Sequence, residues 1–471
     1  MINLPEKVWR NFGAGLLGKL LSQAISFILV VYLARVLGPQ AYGGISMVLA
    51  IISYFNLLAA FGLPTVGTRE LARKQTDRME TISCIYSLRI CLAAAAYILL
   101  FVYAGLFIDD GDLFYLLLLY GLTILSSACF LDWAVIGLED LRLLAVANLL
   151  GNCCTGILVF LFVKEAADVF YVPLSLFTGG VLACVLLLYF LYKSYWLRLR
   201  FTLAKGREVL QLAMPFAITS ALSQVYENFD MIFLGMTANY LEVGYYSVAY
   251  KIVSVLSGII GIYSQAVLPV MIRLRSENAS LAGHVLQNNV QAILFLMLPI
   301  VTGGTLLGGA IIDTFFGEMY ANAAPAFVLL LYYVLFMALS ITLANWLIAV
   351  NEDRQYMKIL LCGAVLNVVM NLLLTPIWKS TGAAMAMIIT EVFVFAFFAW
   401  KIKGLQRGFC LDGHSLLVLV GSCLGMGAGI VALQQVFNLH VAFLIVIGAM
   451  LYLGLAWPVG AKIFRKGFAG E

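Results

Sequence analysis

The stretch from Gln224 to Asp230 sets two carboxylates and two amides inside an otherwise apolar run. Gln224, Glu227 and Asp230 follow at i, i+3 and i+6, with Asn228 beside them, so on a helix they line one face. Two carboxylates one turn apart suit the coupled uptake of a proton or another cation. The competing role is an ion pair that holds helices together. Four bases also lie in or at the ends of apolar runs: Lys19, Arg35, Arg89 and Lys251. Cations facing a cavity suit an anionic cargo, and the planar arginine fork grips two phosphate oxygens at once. Lys19 and Arg35 are equally placed to snorkel to the two membrane surfaces. Arg89 sits too far inside its segment for that. Glu391 is a further carboxylate in an apolar run, with no partner legible nearby.

These residues need elements that can carry charge through an apolar medium. The chain is 63% hydrophobic and 11% charged over 471 residues, against roughly 25% charged in a soluble domain. Apolar runs of about 20 residues, each long enough to cross a ~30 Å hydrocarbon core, recur from end to end. Marking their limits predicts an all-α polytopic membrane protein of fourteen transmembrane helices. The first two lie near 11–37 and 42–64, the seventh and eighth near 208–235 and 243–272, and the eleventh and twelfth near 356–377 and 381–402. An ionisable group in such a helix costs about 2.5–3.5 kcal/mol on insertion, so it faces a cavity or a partner.

With the N-terminus inside, 22 of the 28 lysines and arginines fall on the cytoplasmic side. Arg35, Lys164 and Lys379 fall at outer ends, and Lys19, Arg89 and Lys251 within spans. This partition follows the positive-inside rule and places both termini in the cytoplasm. Lys7 and Arg10 mimic the start of a secretory signal, but the apolar run behind them is read as a retained first helix. The outer loops are too short for an extracellular catalytic domain, and the 3 histidines all lie near span ends. The 9 cysteines show no metal-ligand spacing and read as small buried hydrophobes. The +4 net charge marks the cytoplasmic face and carries no case for nucleic acid.

The chain also reads as duplicated. Leu21-Ser22-Gln23 matches Leu222-Ser223-Gln224, and Gly43 and Ser46 match Gly244 and Ser247 in the same register. Leu63-Pro64 and Leu268-Pro269 match at an offset about one helical turn larger. The expectation is two pseudo-symmetric six-helix lobes, 1–200 and 201–407, with two extra C-terminal helices in 408–471. Ser26 and Leu29 stand where the second copy has Glu227 and Asp230, so the carboxylates belong to the second copy alone.

Several runs carry a family likeness: Tyr32-Leu33-Ala34-Arg35-Val36-Leu37-Gly38-Pro39 through Tyr42-Gly43, and Phe61-Gly62-Leu63-Pro64 followed by Arg69. Asp132-Trp133 with Gly137-Leu138-Glu139, and Asp230 followed by Gly244-Tyr245-Tyr246-Ser247-Val248-Ala249-Tyr250-Lys251, complete the set. Together the chain resembles the polysaccharide transporter family, which includes Wzx-type O-antigen flippases. That family shares a superfamily with multidrug antiporters and the lipid II flippase. The resemblance implies two lobes around an alternating-access cavity. It implies a cargo of oligosaccharide linked through pyrophosphate to a polyprenol, moved from the inner to the outer leaflet. It makes Lys19, Arg35, Arg89 and Lys251 candidates for the anionic headgroup, and Glu227 and Asp230 candidates for ion coupling to a proton or sodium. Gln23, Gln224 and Asn228 become polar cavity residues, Arg69 serves an inner gate, and the last two helices offer a groove for the lipid tail. The expected setting is the inner membrane, with a functional monomer among membrane lipids and glycan polymerase or assembly proteins, and with no catalytic residue, metal or cofactor. The alternative within the superfamily is a cation-coupled multidrug antiporter, which calls for acidic cavity residues without the basic set.

Overall fold

The computed structural model describes residues 6–72, 78–195, 201–277, 279–405, 413–437 and 439–468. Within these, the side chains of 6–17, 19–20, 78, 194–195, 276–277, 279–282, 405 and 462–468 lie outside what is described. No strand occurs among the described residues. In hydrocarbon every backbone amide needs an internal partner, and the helix supplies one within its own segment.

In chain order the helices are α1 (Glu6–Ala60), α2 (Leu63–Ala72), α3 (Arg78–Phe107), α4 (Gly111–Cys129) and α5 (Asp132–Gly137). Next come α6 (Leu141–Phe162), α7 (Tyr171–Tyr195), α8 (Gly206–Thr237), α9 (Tyr240–Glu277) and α10 (Ala279–Phe316). The last are α11 (Ala324–Ala349), α12 (Asp353–Leu405), α13 (Gly413–Val436) and α14 (Val441–Phe468). Twelve helical segments among the described residues are long and apolar enough to cross a membrane.

Two of the twelve are too long for a single crossing. The 55 residues of α1 would span about 80 Å if straight, but Gly38 (φ 73°) leaves the helical region and Pro39 restarts it. Glycine ends a helix in the left-handed region and proline opens the next without needing an N–H. In α12 the bend falls at Lys379 (φ 50°). Both breaks lie where the sequence predicts a turn between spans, which is how twelve segments accommodate about fourteen crossings.

Gly38 breaks α1, and about 200 residues on Ala238 and Asn239 separate α8 from α9. Asn239 caps α9 by accepting the Glu242 N–H at 3.0 Å. Glu139 (φ 61°) and Asn351 (φ 60°) end α5 and α11 with one shared motif. In each, the amide of the left-handed residue reaches three residues back and the next amide five, Asp140 to Val135 at 3.1 Å and Glu352 to Leu347 at 2.9 Å. Positive φ values at Phe61 and Gly62 separate α1 from α2, while α9 runs on unbroken.

The chain forms two compact units, 1–232 and 233–471, divided within α8. In the first, α1 packs on α3, α4 and α6, and α7 closes against α4 and α6. Its core is centred on Trp133, Leu63, Ile85 and Leu187. In the second, α11 packs on α9, α10 and α12, and α13 and α14 lie against α10. That contact is a separate cluster around Met426, Leu444 and Tyr452, with the Tyr452 hydroxyl donating to the Phe295 carbonyl at 2.8 Å.

Candidate functional site in the membrane-spanning helices

Residues 224–230 lie on α8, about 10–20 Å from its Thr237 end at 1.5 Å per residue. Asn228 donates its amide to the Gln224 side-chain oxygen at 2.6 Å. The Gln224 carbonyl in turn accepts the Tyr54 hydroxyl at 3.3 Å, tying α8 to the second arm of α1. Asp230 is buried at 1% exposure and acts electrostatically on the same tyrosine. Glu227 is exposed and forms no ion pair among the described residues. The two carboxylates therefore have unlike surroundings although they share a helix face.

The bases separate just as clearly. Lys251 is half-buried on α9, about 16 Å along the axis from the start of that helix. Its ammonium forms no ion pair among the described residues. Arg89, 6% exposed on α3, turns into the protein. Its Nη1 donates to the Phe130 carbonyl at 2.7 Å and its Nη2 to the Ser127 carbonyl at 2.6 Å, with Asp132 within electrostatic reach. These carbonyls mark the break between α4 and α5, where the helix has run out of its own donors. Ser127 also donates to the Asn56 side chain at 2.9 Å, so the brace reaches the second arm of α1.

Arg35 is exposed on the last turn before Gly38 and is engaged in a contact there. Gln23 is half-buried on the first arm of α1. The Lys19 side chain lies outside the described residues. Arg69 on α2 pairs with Glu70 at 3.4 Å, and its guanidinium stands 5.6 Å above the Phe216 ring of α8. Behind it, α2 and α5 are zipped together. Thr68 donates to the Trp133 carbonyl at 3.0 Å, and Gly67 lies so close to the Trp133 ring that an added Cβ would stand 2.2 Å from it. Only glycine permits that approach.

A polar stripe on α12 is absent from the sequence reading. Asn367, Asn371 and Thr375 recur every four residues, at 1%, 0% and 0% exposure. Asn371 donates to the Asn367 carbonyl at 3.0 Å, and Thr375 to the Asn371 side chain at 2.9 Å. The stripe faces the second arm of α12, because Gly363 meets Val394 and Thr390 one turn before it and Thr375 meets Gly382. The Asn367 side-chain nitrogen and the Thr390 hydroxyl are buried without a hydrogen-bond partner among the described residues. Glu391, 4% exposed beside Thr390, is engaged in a contact. The N-x-x-x-N-x-x-x-T spacing is the signal that exposes this stripe, and uncharged residues escape a search for charge. No cluster of three or more metal-ligating side chains occurs among the described residues.

Long apolar helices with isolated polar groups at mid-span define a polytopic membrane protein. The comparisons with known proteins make that specific. The family model described as polysaccharide biosynthesis protein matches residues 8–275, and the chain belongs to that family, the polysaccharide transporters its motifs resemble. A Shigella dysenteriae protein described as an O-antigen transporter is 22% identical over 390 residues, covering 80% of this chain and 95% of that one. The solved structure of the lipid II flippase MurJ in an inward closed conformation superposes with a TM-score of 0.78 at 14% identity, covering 96% of this chain and 99% of that chain. An inward-facing multidrug resistance MATE family transporter gives a TM-score of 0.68 at 14% identity, covering 83% and 96%.

Proposed function

We propose that this protein is a flippase for a polyprenyl-pyrophosphate-linked oligosaccharide, carrying it from the inner to the outer leaflet by alternating access with the help of a coupling cation. The observation that carries the reading is Lys251, a half-buried base within its span that forms no ion pair among the described residues. Such a charge is expensive in hydrocarbon, and an anionic cargo offsets the cost. The similarity to proteins described as an O-antigen transporter and a lipid II flippase supports a lipid-linked glycan as that cargo. Glu227 and the Asn367–Thr375 stripe with Thr390 and Glu391 offer oxygen atoms suited to a proton or sodium ion. The chain acts as a carrier and not as an enzyme, in the inner membrane with both termini in the cytoplasm. Arg89 acts in this scheme through the α4–α5 break it holds.

The test replaces Lys251 in cells whose chromosomal copy is deleted. Lys251→Ala, at normal protein level, should lose surface glycan and accumulate lipid-linked oligosaccharide, while Lys251→Arg retains export. Normal surface glycan from Lys251→Ala overturns the headgroup role. Loss of cationic-dye extrusion in the deletion strain, with no accumulation of lipid-linked glycan, favours the multidrug reading, for which Glu227 is the supporting feature.

A further inference from the structure

The Leu405 end of α12 carries a feature that the transport scheme leaves unused. Trp400, Lys401, Lys403 and Gly404 line a cavity of about 460 Å³. Neither lysine forms an ion pair among the described residues. Leading towards the cavity along α12, Phe393, Phe397 and Trp400 stand at i, i+4 and i+7, so they share one face. Their rings form a ladder, with centroids 4.8 Å apart between Phe393 and Phe397 and 6.0 Å between Phe397 and Trp400. Phe397 is 43% exposed and Trp400 70%.

An interfacial tryptophan alone belongs to the aromatic belt of any membrane protein. Here the apolar track ends in a cavity with two ammonium groups that form no ion pair among the described residues. Read outward from the bilayer centre, that order presents an acyl-chain surface, an amphipathic indole and then positive charge. A phospholipid offers an acyl chain, a glycerol ester region and a phosphate in the same order. We infer that this cavity binds an anionic phospholipid, with its phosphate on Lys401 and Lys403, its ester region against Trp400 and an acyl chain along Phe397 and Phe393. The orientation proposed above makes it a lipid of the cytoplasmic leaflet. Juxtamembrane lysines attract anionic lipid, and salt weakens the pull. Two of them, partly screened, should favour an anionic over a zwitterionic lipid by about tenfold.

The experiment places the purified full-length chain in phosphatidylcholine vesicles doped with brominated phosphatidylglycerol or brominated phosphatidylcholine. Subtracting the emission of Trp400→Phe isolates quenching at Trp400. Phosphatidylglycerol should half-quench at about a tenfold lower mole fraction, and Lys401→Gln with Lys403→Gln should erase the difference. Equal quenching by the two lipids overturns the inference, because it is what an interfacial belt alone gives. So does a difference that inorganic phosphate abolishes at matched ionic strength, which would mark a site for the free anion. Native mass spectrometry of phosphatidylglycerol retained per chain, wild type against the double lysine variant, gives a readout independent of Trp400→Phe. Retention that is equal in the two proteins also overturns the inference. Neither readout uses transport or depends on orientation, so failure here is distinguishable from failure of the flippase reading.

Discussion

Replacing Arg89 by alanine separates a structural brace from a cargo ligand. The guanidinium serves the carbonyls of Phe130 and Ser127 at 2.7 and 2.6 Å and lies near Asp132. Ser127 keeps the Phe130 N–H at 3.2 Å when the side chain is removed. The Phe130 carbonyl loses this donor, and Asp132 loses its nearby cation. Each charged hydrogen bond contributes about 1.5–3 kcal/mol, so losing both is expected to destabilise the protein by about 3–6 kcal/mol. The assay is thermal unfolding of the purified protein in detergent, followed by fluorescence-detected size exclusion. Arg89→Lys should fall between wild type and Arg89→Ala, since one ammonium lacks the fork that reaches both carbonyls. An unchanged unfolding temperature for Arg89→Ala, combined with lost glycan export, would refute the brace and return Arg89 to the cargo path.

The α2–α5 zipper makes Gly67→Ala destabilising by about 1–3 kcal/mol, because the new methyl would meet the Trp133 ring at 2.2 Å; the same unfolding assay reads it, and wild-type stability would disprove the close approach. In the second unit, Glu242 accepts the Ser380 hydroxyl at 2.7 Å and lies 3.5 Å from the Lys379 ammonium, so it clips the bend of α12 to the first turn of α9. Glu242→Ala should cost about 1–3 kcal/mol and speed amide exchange in residues 377–382. Exchange no faster than wild type would show that the bend holds without the clip.

Much of the architecture is written in the sequence because hydrocarbon permits few alternatives to the helix. Gly38-Pro39 is readable as a break since each residue acts locally, one freeing φ and the other dispensing with an N–H. Lys379 carries no such local signature. Its bend is legible only as the gap between two apolar runs, and the contact with Glu242 is a long-range event. The break at Phe61–Gly62 is likewise hidden within an apolar run, and it rests on contacts such as Gly62 against Ala213 and Phe216 of α8.

The site was legible as a list of costly residues but not as a set of roles. Sequence position places Arg89 and Lys251 alike at mid-span. Only packing shows that one faces helix-end carbonyls while the other forms no ion pair among the described residues. The Asn367–Thr375 stripe escaped for the opposite reason, since amides and hydroxyls attract attention only when burial leaves some of them unpartnered.

The central claim is that the chain moves a lipid-linked oligosaccharide between leaflets. The most direct measurement reconstitutes the purified protein in vesicles loaded with polyprenyl-pyrophosphate-linked oligosaccharide and follows the glycan fraction open to an external glycosidase over time. The account predicts that the protected pool becomes accessible faster than in protein-free vesicles, and that Lys251→Ala loses this acceleration while remaining folded. Accessibility rising no faster with the wild-type protein, under an imposed proton or sodium gradient of either direction, would contradict it.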